Sequence, residues 1–154
     1  MIFRRTIAAL AVLLVLAAPA RAATFTPELN RAYATALRFW HETPGNCESL
    51  DREIVDDAAM PEGAEGWATI ADEPTPCVLY LARSLAAPRM FERACAVLVH
   101  EVGHLLGYQH SADPRNVMYP EVVAIPGLCE RVGLRELNRR ERATRSRYSA
   151  RPAG

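Results

Sequence analysis

The chain has 154 residues, half of them hydrophobic, and its 18 basic side chains balance its 18 acidic ones. That length supports one hydrophobic core and excludes a catalytic unit joined to a large accessory domain. Every basic residue is arginine and none is lysine; genomic base composition accounts for this as well as selection does, and it gives no ground for a nucleic-acid partner.

The first 22 residues read as a signal peptide rather than as part of the fold. Arg4 and Arg5 precede an apolar run from Ile7 to Ala18, and Ala20-Arg21-Ala22 offers small residues at cleavage-site spacing. The run is shorter than the ~20 residues a spanning helix needs, so a retained anchor is the weaker alternative, and no later segment is long and apolar enough to span. Cleavage would remove Arg4, Arg5 and Arg21 and no acid, leaving a single domain over 23–154 with a net charge of about −3. The expected location is secreted or extracytoplasmic.

Within that body, Pro27 through Trp40 reads as a helix: Leu29, Tyr33, Ala36, Leu37 and Trp40 recur at helical spacing, and Thr43-Pro44-Gly45-Asn46 ends it. Glu53-Ile54-Val55, Trp67-Ala68-Thr69-Ile70 and Cys77-Val78-Leu79-Tyr80-Leu81-Ala82 are strand candidates separated by turns containing Pro and Gly. Pro88 suits the first turn of a second long helix running to about Leu106, and a last helix is expected from about Leu134 to Tyr148. Arg131, Arg135, Arg139, Arg140, Arg142, Arg145, Arg147 and Arg151 crowd the end against Glu130, Glu136 and Glu141. A solvated helix face explains them most simply; an anionic cell-envelope surface is the alternative partner.

The second long helix carries the chemistry. His100 and His104 stand four residues apart, so they project from one face, one turn above the other, and can address a single ion. Glu101 lies roughly 100° round the helix from His100, close enough to reach a water on that ion without completing its coordination shell, which is the position of a general base. Gly107 permits a sharp turn through positive φ, and His110 can then swing back as third ligand. Three neutral imidazoles leave a tetrahedral zinc one open position, where water becomes available as hydroxide near neutral pH. Five fixed residues at this spacing arise by chance on the order of once in ten thousand chains of this size.

The segment that follows, Ser111-Ala112-Asp113-Pro114-Arg115-Asn116-Val117-Met118-Tyr119-Pro120, is a loop that ends in methionine. From Val99 to Pro120 the chain resembles the metzincin zinc peptidases, in which the zinc site rests on a methionine-containing turn; Met118 is the matching residue. Ser111 directly after the third histidine, with Met118-Tyr119-Pro120, is most similar to the matrixins. Pro120 stands where some other metzincins carry a tyrosine that can reach zinc, so no tyrosine ligand is assigned.

The resemblance implies an α+β fold in a single small domain: a twisted mixed sheet with an N-terminal helix, an active-site helix and a C-terminal helix. It implies a zinc endopeptidase in which Glu101 takes a proton from the attacking water and passes it to the leaving nitrogen. An extended peptide or protein substrate would pair with the exposed edge of the last strand before the active helix, for which Val78, Leu79, Tyr80, Leu81 and Ala82 are the candidates. Pro120, Val122 and Val123 would wall the pocket beyond the scissile bond, although many matrixins carry a tyrosine where Val122 falls. Too few residues separate the expected cleavage site from the first helix for a matrixin propeptide, and Pro44-Gly45-Asn46-Cys47-Glu48 lacks the family's switch motif. His41 is the one histidine outside the motif, too few for a second structural zinc, so one catalytic Zn²⁺ in a monomer is expected. Asp56, Asp57, Asp72 and Glu73 have no EF-hand-like spacing, and solvated turn carboxylates are a simpler reading of them than a Ca²⁺ site.

Export also makes Cys47, Cys77, Cys95 and Cys129 two disulfides rather than a metal site or reactive thiols. Four cysteines allow three connectivities. Cys95 lies about 140° round the helix from His100, facing away from the zinc. The preferred pairing is Cys95 with Cys129, tying the active helix to the segment beyond the methionine turn, and Cys47 with Cys77, bracing the sheet. Two rival functions remain at this stage: a non-catalytic zinc-stabilised binding module, against which the carboxylate of Glu101 argues, and a zinc hydrolase of cell-wall peptide cross-links, supported by the basic tail alone.

Overall fold

The structure, a computed structural model, describes residues 23–61, 63–69, 75–135 and 138–139. The expected signal peptide, Asp72, Glu73 and most of the expected Leu134 to Tyr148 helix lie outside the described residues. A strand β1 (Ala23–Thr24) leads into helix α1 (Pro27–Trp40). Local signals set both ends of α1. The Thr26 hydroxyl accepts the Leu29 N–H at 3.3 Å and Pro27 occupies the first turn, while His41 takes the left-handed conformation, φ 55°, that stops the helix. Leu29, Ala32 and Ala36 form its buried stripe.

Strands β2 (Cys47–Val55), β3 (Gly66–Ala68) and β4 (Thr75–Ala82) complete a four-stranded mixed sheet in the order β1-β2-β4-β3. β2 and β4 pair in parallel, and the outer pairs β1 with β2 and β3 with β4 are antiparallel. Alternation along β4 follows the period of two. Cys77, Leu79 and Leu81 are buried in the core, whereas Val78 and Tyr80 are only half-buried on the other face.

Short 3-10 turns at Arg83–Ala86 and Pro88–Met90 deliver the chain into helix α2 (Phe91–Leu105), so Pro88 opens the 3-10 turn rather than the α-helix. Helix α2 packs against α1, β3 and β4 and is buried nearly all round, with Ala94, Cys95, Val97, Leu98, Val99 and Val102 in the common core. An all-round buried helix gives rigid support to the side chains at its C-terminal end.

The disulfides are Cys47–Cys77 and Cys95–Cys129, with Cα separations of 5.4 and 5.7 Å. The first joins β2 to β4 where their register shifts between Cys47 and Leu50. The second joins α2 to a third helix, α3, over 127–135. That helix begins well before the expected Leu134. Its first turn is set by the Pro126 carbonyl, which accepts from Cys129 N–H at 2.8 Å, and Cys129 is fixed in the core by its disulfide. Two disulfides fit an oxidising compartment, and no helix among the described residues is long and apolar enough to cross a membrane.

Candidate metal centre and substrate cleft

The end of α2 is built to reverse the chain. Tyr108 N–H bonds to Gly103 O at 3.0 Å and Gly107 N–H to His104 O at 2.9 Å, the paired bonds of a Schellman motif, with Gly107 at φ 90°. This turn carries His110 back towards the helix. It also aims the Tyr108 carbonyl at His104, whose Nδ1 lies 2.9 Å away. His100 Nδ1 is held in the same manner, 2.8 Å from Val117 O. A carbonyl can only accept, so both Nδ1 atoms carry the proton and both Nε2 atoms present lone pairs.

Those lone pairs face one another. His104 Nε2 lies 3.0 Å from His100 Nε2 and 3.1 Å from His110 Nε2, and all three ligand atoms fall within 4.8 Å of each other. Acceptors crowded without a proton between them repel unless a cation is shared. Tetrahedral zinc with bonds of about 2.0–2.1 Å separates its ligand nitrogens by about 3.3 Å, so the cluster fits that ion closely. Burial holds the His100 and His104 imidazoles below their ordinary pKa, as neutral ligands need.

Met118 packs beneath the cluster against the helix backbone. It is buried, and its carbonyl accepts from Ser111 N–H at 2.8 Å while its own N–H bonds to Asn116 Oδ1 at 2.9 Å. Its thioether packs on Gly103, between the two helical ligands, beside the Trp40 ring. Trp40 in turn donates its indole N–H to Val99 O at 2.8 Å and stacks on Tyr108, centroids 4.6 Å apart. Ligands, methionine turn and α1 thus form one packed unit.

Glu101 is 7% exposed and sits beside the histidines against β3. Burial pushes its carboxyl up from the usual 4.5 to about 7, with a hydrogen bond from the Ala68 backbone opposing the shift. A cleft of about 620 Å³ opens in front of these groups, with Gly66, Trp67 and Ala68 on one side and Pro120, Val122 and Val123 on the other.

Residues 58–128 match the matrixin family model, a span that contains the three histidines, Glu101, the methionine turn and both walls of the cleft. The chain is matrixin-like. No match was found among curated proteins or solved structures. The family match and the three-histidine cluster together support a zinc metallopeptidase.

In this matrixin-like site the expected substrate edge needs correction. Val78 to Ala82 belong to β4, which is paired on both sides, with β2 and with β3, and none of these five residues lines the cleft. Among the described residues the outer strand on that side of the sheet is β3, the strand before it. Gly66 and Ala68 turn towards α2 while Trp67 is half exposed. Sequence reading identified the Trp67 strand but not its place at the edge, because strand order does not follow chain order. Arg93 and Glu65 also line the cleft and were missed. Arg93 stands seven residues before His100, hence on the same face of the helix, which was the available signal. The acidic pair near β2 is engaged within the protein: Asp56 pairs with Arg83, and Asp57 accepts the Ser84 N–H at 2.9 Å.

Proposed function

We propose that this protein is a secreted zinc endopeptidase. The observation that carries the reading is the convergence of three imidazole Nε2 atoms beside a buried carboxylate at the head of an open cleft. His100, His104 and His110 would hold the ion, which when bound supplies a Lewis acid to polarise a scissile carbonyl and acidify water.

The chain's own groups do the rest. An extended peptide adds to the outer edge of β3, and main-chain pairing with Gly66 to Ala68 holds it in register. Glu101 accepts a proton from the attacking water and delivers it to the leaving nitrogen, so hydrolysis needs no acyl-enzyme. Burial raises the affinity of this carboxyl for a proton, which suits its acceptance from water, and a bound cation would favour the return to carboxylate. The two disulfides support an extracytoplasmic setting.

The test is cleavage of a mixed peptide library by the oxidised, zinc-loaded chain, beside Glu101→Ala and a chelator control, with cut sites read by mass spectrometry. Cuts that vanish in both controls are expected. Stoichiometric zinc with no cuts would instead favour a binding module or a non-peptide substrate.

A further inference from the structure

The far end of the cleft is closed by a charge pair. Arg93 lies two helical turns, about 10 Å, before His100 on the same face of α2, so the pocket reaches from the histidine cluster to a guanidinium. That guanidinium joins the two walls. Its Nε donates to Glu65 Oε2 at 2.8 Å and a second nitrogen pairs with the same carboxylate, while the third donates to the Val122 carbonyl on the opposite wall. Glu65 immediately precedes the edge strand, so one side chain spans from the substrate-pairing edge to the pocket wall. Val97, Gly66, Ala68 and Val122 supply apolar or small lining between them, and the exposed Glu121 is a further charged residue on the wall.

We infer that Arg93 and Glu65 are the specificity-determining residues of this pocket, closing its end with mutually neutralised charge and so selecting a neutral side chain on the residue beyond the scissile bond. This rests on the peptidase reading above. Each charge rejects side chains of its own sign, and the partner it already holds satisfies it against the other sign. Removing one member leaves the other uncompensated in a half-buried site, where opposite charge is attracted. The two members therefore predict opposite changes. Loss of Arg93 exposes a carboxylate that welcomes long basic side chains, and loss of Glu65 frees a guanidinium that welcomes acidic ones.

The experiment uses zinc-loaded wild type, Arg93→Met, Glu65→Gln and the doubly neutral Arg93→Met/Glu65→Met chain. The substrates are quenched peptides differing only beyond the scissile bond, in the size-matched pairs lysine against norleucine and glutamate against glutamine. The same peptides are titrated calorimetrically onto the Glu101→Gln forms, which read binding without turnover. Wild type should disfavour both charged residues at least tenfold. Arg93→Met should raise lysine relative to norleucine at least tenfold, Glu65→Gln should raise glutamate relative to glutamine by a similar factor, and the double variant should show neither gain. Zinc stoichiometry and thermal midpoints establish that each variant is folded; if one single variant is not, the other and the double variant still decide. Equal losses across all peptides, or unchanged charge ratios, would overturn the assignment. If wild type cuts nothing while the binding ratios move as stated, the charge assignment stands and the peptidase reading falls.

Discussion

Met118 occupies the space that Gly103 leaves open: a Cβ at position 103 would come within 2.3 Å of the Met118 sulfur and 2.8 Å of Trp40 Cζ2. The helix carrying two ligands and the turn named for its methionine are therefore in contact at a residue with no side chain. Trp40 cannot retreat easily, since its indole is hydrogen-bonded to Val99 O.

Gly103→Ala should accordingly force α2 and the methionine turn apart. Overpacking of this kind costs about 1–3 kcal/mol, and the strain falls between His100 and His104, so zinc affinity should drop as well. Urea unfolding of the metal-free chain and a chelator competition titration read the two effects separately. Retention of both values would show that the methionine turn is not a support.

Gly66 makes a comparable approach on the catalytic side. A Cβ there would lie 2.5 Å from Val97 Cγ1, 2.8 Å from Glu101 Cγ and 2.9 Å from Glu101 Oε1. Gly66→Ala should displace the carboxylate while leaving the three histidines in place. Misplacement by about 1 Å commonly costs on the order of 100-fold in rate, so kcat should fall steeply with zinc stoichiometry unchanged. A variant that loses zinc in proportion to activity would place Gly66 in support of the metal site instead.

The three-histidine cluster was legible because it lies in one short segment whose periodicity fixes its geometry: His100 and His104 share a helix face, and Gly107 marks where the chain turns back. Helix α1 was legible for similar reasons, through Thr26, Pro27 and its apolar spacing. What stayed hidden was non-local. Nothing in the residues of β3 and β4 says that the earlier strand lies outside the later one, and the expectation of an edge at Val78 to Ala82 follows chain order alone. The start of α3 at residue 127, ahead of the expected Leu134, depends on a non-local contact, the disulfide that holds Cys129 against α2. Arg93 was on the correct face by spacing, but its role depends on Glu65, 28 residues away.

Glu101 should leave a distinct mark on stability in the metal-free protein. Its folded pKa is about 7 against an ordinary 4.5, so between those values the folded state binds more protons than the unfolded one. Its contribution is fully present below pH 4.5 and is lost as pH rises through 7, a total of about 3 kcal/mol. His100 and His104, held below their usual pKa, act in the opposite sense. The histidines are common to wild type and Glu101→Gln, so the difference between the two chains isolates the carboxyl. Urea midpoints measured from pH 4.5 to 8 should show wild type losing stability relative to the variant as pH rises. Zinc, which favours the carboxylate, should flatten that difference. A difference that grows in the other direction would mean that the carboxyl is not held protonated by burial.

The disulfides should differ in how readily they open, and loss of the buried one should cost much of the stability. Cys95 and Cys129 are both fully buried, whereas Cys47 is half-buried. Mild reductant followed by alkylation and mass spectrometry should therefore label Cys47 and Cys77 first, with Cys95–Cys129 opening only as the protein unfolds. Cys95–Cys129 closes a loop of 34 residues, and a crosslink of that span stabilises by about 4 kcal/mol in the chain-entropy account. Small domains have only about 5–15 kcal/mol in total. The Cys95→Ala/Cys129→Ala chain should thus lose a large fraction of its stability in urea, since α3 would be held to the core by packing alone. Because α2 is also fixed by α1 and the sheet, zinc affinity of the fraction that remains folded should be little changed. A loss below about 1 kcal/mol would show that α3 is anchored by its packing, and a collapse of zinc affinity in the folded fraction would show that the crosslink shapes the metal site itself.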